Sequence, residues 1–208
     1  GGTHLDATGQ IGLFKVVSES AVASGLVGLA YGACDSPDAR SARRISYVIG
    51  PDGRPRQTLL FCAWLAWSRF RVVIPTWDRK MGTLLSCLDT TLRRLGGAPA
   101  FVLTDNEKTV TAEHVAGIPV RNPMMVALGR HYGLTVHTCV PFDPESKGGA
   151  EATVRIAKAD LVPTEANLLS GYNNFSELVE ACEVFEDKVN NRMHRETHRI
   201  PAEALLVE

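Results

Sequence analysis

Phe101-Val102-Leu103-Thr104-Asp105-Asn106 is an apolar run that ends abruptly in an acid. Ser146-Lys147-Gly148-Gly149-Ala150-Glu151 is a glycine-softened turn that delivers a second acid onto the start of a helical pattern. The first reads as a strand with a carboxylate at its carboxyl end, where open α/β sheets gather ligands. The second puts Glu151 near a helix N-terminus, where the dipole favours an anion. The acids are 46 positions apart with one αβ unit between them, so they can meet at one sheet edge. Two unit charges about 4 Å apart repel by roughly 4 kcal/mol at an effective dielectric of about 20. A divalent cation between them, or a proton on one, relieves that repulsion. Each acid alone also has a plain reading: Asp105-Asn106 as a turn, Glu151 as a solvated complement to a helix dipole.

The neighbours of Glu151 add a second theme. Lys147, Arg155 and Lys158 stand at −4, +4 and +7 and share its helix face if the helix begins by Lys147. An acid inside a row of cations suits a phosphate backbone: the cations hold the strand and the acid holds a metal. The same spacing is also common on ordinary surface helices.

Outward from these stretches the chain reads as a mixed α/β protein. Ile45 to Ile49 is a short β-prone run closed by the turn Gly50-Pro51-Asp52-Gly53. Thr58 to Ala66 reads as a long strand buried on both faces, and Phe70 to Thr76 as the next, joined by Trp67-Ser68-Arg69. These three runs read as an antiparallel meander. A helix follows, with Asp78 as N-cap, a stripe of Leu85, Leu88, Leu92 and Leu95, and Gly96-Gly97 as its end. Asn122-Pro123 starts another helix that stops at Gly133, and Leu134 to Val140 is a fifth strand. In the next helix Ala150, Val154, Ala157 and Leu161 form the buried stripe. In the last, Asn174 and Glu177 form a capping-box-like pair, and Phe175, Leu178, Cys182, Phe185, Val189 and Met193 mark one apolar face. The fold expected is a five-stranded mixed sheet, an antiparallel three-strand meander plus two parallel strands, flanked by helices.

Residues 1–44 show no lasting period of 2 or 3.6 and read as a poorly structured or atypical N-terminal segment, with a short helix near Glu19 to Leu29. Residues 45–170 read as the core, and residues 171–208 as a C-terminal helix and tail packed on it. A net charge of −1 excludes a wholly basic nucleic-acid binder, so any such contact rests on local patches. Five scattered cysteines without a CxxC pair read as reduced thiols in a cytoplasmic protein. No stretch reaches the ~20 apolar residues of a membrane span; Ser20 to Cys34 comes nearest and lacks the basic flank of a signal peptide.

The element order, Leu103-Thr104-Asp105-Asn106 and Lys147-Gly148-Gly149-Ala150-Glu151 resemble the integrase-core transposases, more closely those of the IstA insertion-sequence type. Val73 to Asp78, His131-Tyr132-Gly133, and Asn190 to His194 with Pro201 fit as well, so the resemblance covers about residues 45–206. It implies a ribonuclease-H-like fold and metal-dependent DNA strand cleavage and strand transfer. It implies Mg2+ or Mn2+ as a two-ion site on two aspartates and a glutamate, roughly 3.5–4 Å between ions. It implies Asp105 and Glu151 as the catalytic and metal-binding pair, with Lys147, Arg155 and Lys158 along the DNA. DNA, further copies of the chain and an ATPase helper are the implied partners.

The resemblance places its first aspartate on the first strand, where this chain has Ser46 and no acid. Asp52 is the nearest substitute, in a turn six residues on. An impaired enzyme, an inactive remnant that keeps DNA binding or self-association, and another ribonuclease-H-like nuclease are the readings in order. A frameshift or deletion at the front of the gene is the expected cause. His194-Arg195-Glu196-Thr197-His198 is HxExH rather than the zinc-protease HExxH, and reads as part of a basic helix end with Arg192, Arg195 and Arg199, with a DNA-phosphate contact as the alternative. Asp143 and Glu145 precede Glu151 in a loop where either could approach the metal, and Pro141 and Pro144 also make this an ordinary polar turn. Trp64, Trp67 and Trp77 read as core or sheet-edge packing.

Overall fold

The computed structural model describes residues 26–32, 48–56, 58–104, 111–115, 118–138, 148–164 and 166–208. Its centre is β4 (Leu59–Leu65), whose side chains alternate between two cores. Phe61, Ala63 and Leu65 face one, and Leu60 and Cys62 face the other. A strand covered on both sides has no polar alternation to show, which is why this run is apolar throughout. Arg69 closes the turn to β5 (Arg71–Thr76) with a left-handed φ of 65°, and β5 pairs antiparallel with β4.

On its other side β4 pairs antiparallel with β1 (Leu26–Gly32). β1 in turn pairs parallel with β6 (Phe101–Thr104), and β6 pairs parallel with β9 (Thr135–Thr138). The strand order is β5-β4-β1-β6-β9. This corrects the sequence reading at one decisive place. The strand between β4 and β6 is Leu26–Gly32, inside the segment set aside as atypical and partly within its expected helix. Val48–Ile49 (β2) instead pairs with Pro55–Arg56 (β3) in a separate two-stranded ribbon. The reason is length: β1 offers six paired positions to β4, whereas β2 offers two residues in all. A further hairpin, Thr111–Val115 (β7) with Ile118–Arg121 (β8), follows β6.

Helices cover both faces. Residues α1 (Met81–Leu95) and α2 (Pro123–Tyr132) bury Leu84, Leu88, Leu92 and Met125 against Phe61, Val72 and Val102. Asp78 accepts from the Lys80 amide at 3.0 Å, so it fixes the entry to α1 just ahead of the cap at Lys80. Asn122 caps α2 by accepting from the Met124 amide at 3.0 Å, with Pro123 in the first turn. Both helices end on a left-handed glycine, Gly96 and Gly133. On the opposite face α3 (Gly148–Leu161) and α4 (Phe175–Asn190) bury Ala157, Leu161, Leu178, Cys182 and Phe185 over Leu60, Cys62 and Val73. Each leucine, valine or phenylalanine among these contributes roughly 1.5–3 kcal/mol when fully buried. Asn174 accepts from the Glu177 amide at 3.0 Å, and Glu177 accepts from the Asn173 amide at 2.8 Å. Met193 falls outside the expected stripe: α4 ends at Asn190 and Met193 is exposed. A short α5 (Pro201–Leu205) closes the chain.

Candidate functional site

β6 ends at buried Thr104, whose hydroxyl donates to the His137 carbonyl across β9 at 3.4 Å. Asp105, next in the sequence, lies outside the described residues, as do Ser46, Asp143, Glu145 and Lys147. Glu151 is the fourth residue of α3; its side chain is likewise outside the description.

The backbone around the two acids is defined. Gly149, one residue into α3, abuts the Trp64 ring so closely that any Cβ there would overlap it. Trp64 is in register with Gly28 of β1, and Gly28 with Leu103 of β6. The opening of α3 therefore sits over β4, two strands from β6 and level with a position two residues before Asp105. Neighbouring strands are about 4.8 Å apart and residues rise about 3.3 Å. Thr153 ties this end of α3 down: its hydroxyl donates to the Gly149 carbonyl at 2.9 Å and accepts from Arg71 Nε at 3.1 Å.

Among the described residues the donor set for cations falls short of three acids. Leu26–Gly32 carries no carboxylate, so the strand beside β6 brings none. Asp52 does not fold back toward the sheet. It accepts from Arg56 Nη2 at 2.8 Å and from the Arg54 amide at 3.4 Å within its own ribbon. Those contacts, the Arg56 bond foremost, hold its carboxyl below the usual carboxylate range. Among the described residues no three His, Cys, Asp or Glu side chains come together. Two carboxylates are donors of the kind a hard divalent cation takes, and the described residues supply no group of three.

Of the expected backbone-binding cations, Arg155 is exposed and Lys158 half-buried on α3. The histidine pair is not on a helix. The loop after α4 closes on itself, with the His194 amide donating to the Arg199 carbonyl at 2.8 Å and the His198 amide to the His194 carbonyl at 2.9 Å. Trp77 stacks on Phe175 with centroids 4.6 Å apart, a packing role. Trp64 and Trp67 do more than pack, since Arg69 lies 5.1 Å over the first ring and Arg199 4.8 Å over the second. Only the tight turn Trp67-Ser68-Arg69 hinted at Arg69, and nothing in the pattern singled out Arg71. A cavity of about 290 Å³ between α2 and β9 is on the α1–α2 face, away from α3.

Solved structures share this architecture. The catalytic core domain of bovine immunodeficiency virus integrase (BIV integrase) aligns with a TM-score of 0.58 at 15% identity, covering 89% of this chain and 95% of that one. The HTLV-2 integrase catalytic core domain, solved in complex with magnesium, aligns at 0.57 and 13% identity, covering 87% and 95%. The fold is thus the ribonuclease-H-like α/β fold of integrase catalytic cores. The transposase for insertion sequence element IS232 of Bacillus thuringiensis subsp. berliner is 28% identical over 148 residues, 69% of this chain and 32% of that protein. The putative transposase for IS5376 of Geobacillus stearothermophilus is 30% identical over 104 residues, 50% and 26%. The chain thus spans a third or less of the curated transposases it matches. The body of the chain is thus similar in sequence to insertion-sequence transposases and shares its fold with integrase catalytic cores. Its front is different: residues 1–27 match the family described as the Threonyl and Alanyl tRNA synthetase second additional domain. There the alanine–tRNA ligase of Chlorobium phaeobacteroides is 77% identical over 26 residues, 12% of this chain and 3% of that protein.

Proposed function

We propose that this chain is a metal-dependent DNA strand-cleaving and strand-transferring core whose centre has lost one acid. The observation that supports it is the register from Gly149 through Trp64 and Gly28 to Leu103. It puts the opening of α3, and with it Glu151, over the strands whose neighbour β6 leads into Asp105. In this reading Asp105 and Glu151 hold one Mg2+ or Mn2+, a hard cation suited to carboxylates and water. The metal would polarise a phosphoryl oxygen. Arg155 and Lys158 on α3, with Lys147 just ahead of it in the sequence, hold the DNA backbone.

The absence of a carboxylate from β1 favours a second outcome, a core that binds DNA or its own copies without turning over. DNA, further copies of the chain and an ATPase helper remain the partners of this reading. A cytoplasmic setting suits three buried free thiols, Cys62, Cys87 and Cys182, and among the described residues no helix is long and apolar enough to cross a membrane.

Nicking of supercoiled DNA with Mg2+ or Mn2+ tests both outcomes. The chain is expected to nick slowly or not at all. Robust nicking that disappears in Asp105→Asn would overturn the impaired reading. Titration of Mn2+ followed by calorimetry should show one weak site that Asp105→Asn and Glu151→Gln each abolish. Metal binding indifferent to both substitutions would end the assignment of those acids.

A further inference from the structure

Cationic side chains gather where the β4–β5 turn meets the loop after α4, with two acids near them, Glu196 and Glu208, the latter accepting from the Ser68 amide at 3.3 Å. Arg69 occupies the turn with φ 65°, a left-handed backbone that a non-glycine residue keeps only when its surroundings hold it there. Its guanidinium lies over Trp64, and its Nε is buried without a hydrogen-bond partner. Arg71, two residues on, is buried, and its Nε donates to Thr153 Oγ1. The closed loop 194–199 brings His194 against them. Its Nδ1 is also buried without a partner. Burial first, then the Arg71 and Arg69 charges, disfavour the charged imidazole; Glu196 opposes them and Arg192 adds to them. Burial, Arg69 and Arg192 likewise weigh on the Arg71 charge, and Glu196 again opposes. Among the described residues, the ion pairs involve none of these arginines. Neighbouring like charges repel, and buried polar atoms without partners cost free energy. An anion with several acceptor oxygens relieves both at once.

We propose that Arg69, Arg71, Arg192 and His194 form a pocket for one backbone phosphate of a nucleic acid, beside the first turns of α3. The position selects the ligand. Arg71 is hydrogen-bonded to Thr153, two residues past Glu151, so a phosphate held here belongs to the same strand that α3 meets. Arg69 and Arg192 are solvent-accessible, so the pocket opens outward. The nucleic-acid identity of the ligand rests on the transposase reading; the anion pocket does not.

The test uses the full chain in EDTA, so the metal centre plays no part. Binding of a fluorescent DNA duplex is followed by anisotropy over a range of salt. The double variant Arg69→Gln, His194→Gln should bind at least about tenfold more weakly, and the slope of log K against log salt should fall by about one. Lys80→Gln, an exposed cation beside α1, serves as the control and should change neither. Unchanged affinity in a folded double variant overturns the pocket. Should that variant fail to fold, inorganic phosphate decides. It should raise the Tm of the chain above that in chloride of equal ionic strength, and Arg69→Gln alone should abolish the rise. No rise overturns the pocket. A phosphate effect without DNA binding overturns the nucleic-acid assignment. A failed nicking assay touches neither result.

A different observation carries a second inference. The first 27 residues resemble a tRNA synthetase and the body a transposase, and β1 begins at Leu26, inside the synthetase match. We infer that the chain joins two unrelated coding segments, the first reaching at least Val27, so that a strand begun in the first lies at the centre of the sheet. This replaces a frameshift within one gene as the cause of the odd front. Single-molecule sequencing of the source DNA across codons 1–60 should yield uninterrupted reads through the join. Reads that place the two segments at separate loci overturn it.

Discussion

Asn190 holds the backbone of Arg71 with both ends of its amide. Its Oδ1 accepts from the Arg71 N–H at 2.9 Å, and its Nδ2 donates to the Arg71 carbonyl at 2.8 Å. One turn earlier on α4, Glu186 accepts from the Val73 N–H at 2.8 Å. Residues four apart on a helix match residues two apart on a strand, so α4 acts as a partner strand for the free edge of β5. Pro75, next along that edge, has no N–H to satisfy. An open edge strand invites pairing with another chain, and this edge is closed by side chains.

Asn190→Leu should therefore cost about 2–4 kcal/mol, because it strands two buried backbone groups rather than losing one surface contact. Urea unfolding reads the cost. A loss below about 0.5 kcal/mol would show that water replaces the amide freely and that the edge is not sealed.

Glu186 gives this edge a pH dependence. Burial pushes its carboxyl up to about 7, against the Val73 amide and the Arg94 guanidinium 2.6 Å away. A folded value raised above the ordinary 4.5 means the fold holds an extra proton between those limits. The contribution of this group to stability is then full below about pH 4.5 and is lost as pH rises through about 7. The span corresponds to an effect on the order of 1–3 kcal/mol. Glu186→Gln should flatten the change in urea midpoint between pH 5 and pH 7.5, on the order of that span. An equal slope in both proteins would assign it to other groups.

Most of this layout was legible in the sequence because it rests on local chemistry. The caps at Asn122 and Asn174, the left-handed glycines after α1 and α2, and the stripe Ala150-Ala157-Leu161 were each specified by neighbours within a few residues. β1 was not. Leu-Val-Gly-Leu-Ala-Tyr-Gly has no alternation, and only pairing with β4 and β6 makes it a strand. The run around Val48 looked more β-prone, yet among the described residues it pairs with the β3 ribbon and through one bridge to Tyr172. Arg69 and Arg71 were illegible for the same reason: their partners Trp64, Thr153 and His194 meet them only in space. The pairing of Asp105 with Glu151 was read from spacing and stands as a proposal.

The central place of β1 makes a sharp prediction. Val27 is registered with Leu65 on one side and Val102 on the other. Proline there removes a ladder donor and forces a ring into a strand with neighbours on both sides, where proline is essentially excluded. Val27→Pro should abolish the cooperative unfolding transition. A cooperative transition with unchanged midpoint would mean that Leu26–Gly32 does not complete the sheet.

Gly149→Ala sets two opposed effects against each other. Alanine gains up to about 1 kcal/mol over glycine inside a helix, and less in the first turn. Its methyl would meet Cη2, Cζ3 and Cζ2 of Trp64, three atoms of a rigid ring rather than the far end of a flexible chain. Overpacking of that kind costs typically about 1–3 kcal/mol, so the clash should win and the variant should be less stable than the parent. The relief available is a lift of the start of α3, which would carry Glu151 away from β6 and weaken the Thr153–Arg71 bond. The expected signature is a lowered Tm, altered tryptophan emission and a fall in Mn2+ affinity together. A lowered Tm with Mn2+ affinity intact would show that the seat of Gly149 on Trp64 supports the fold alone and does not position the acid.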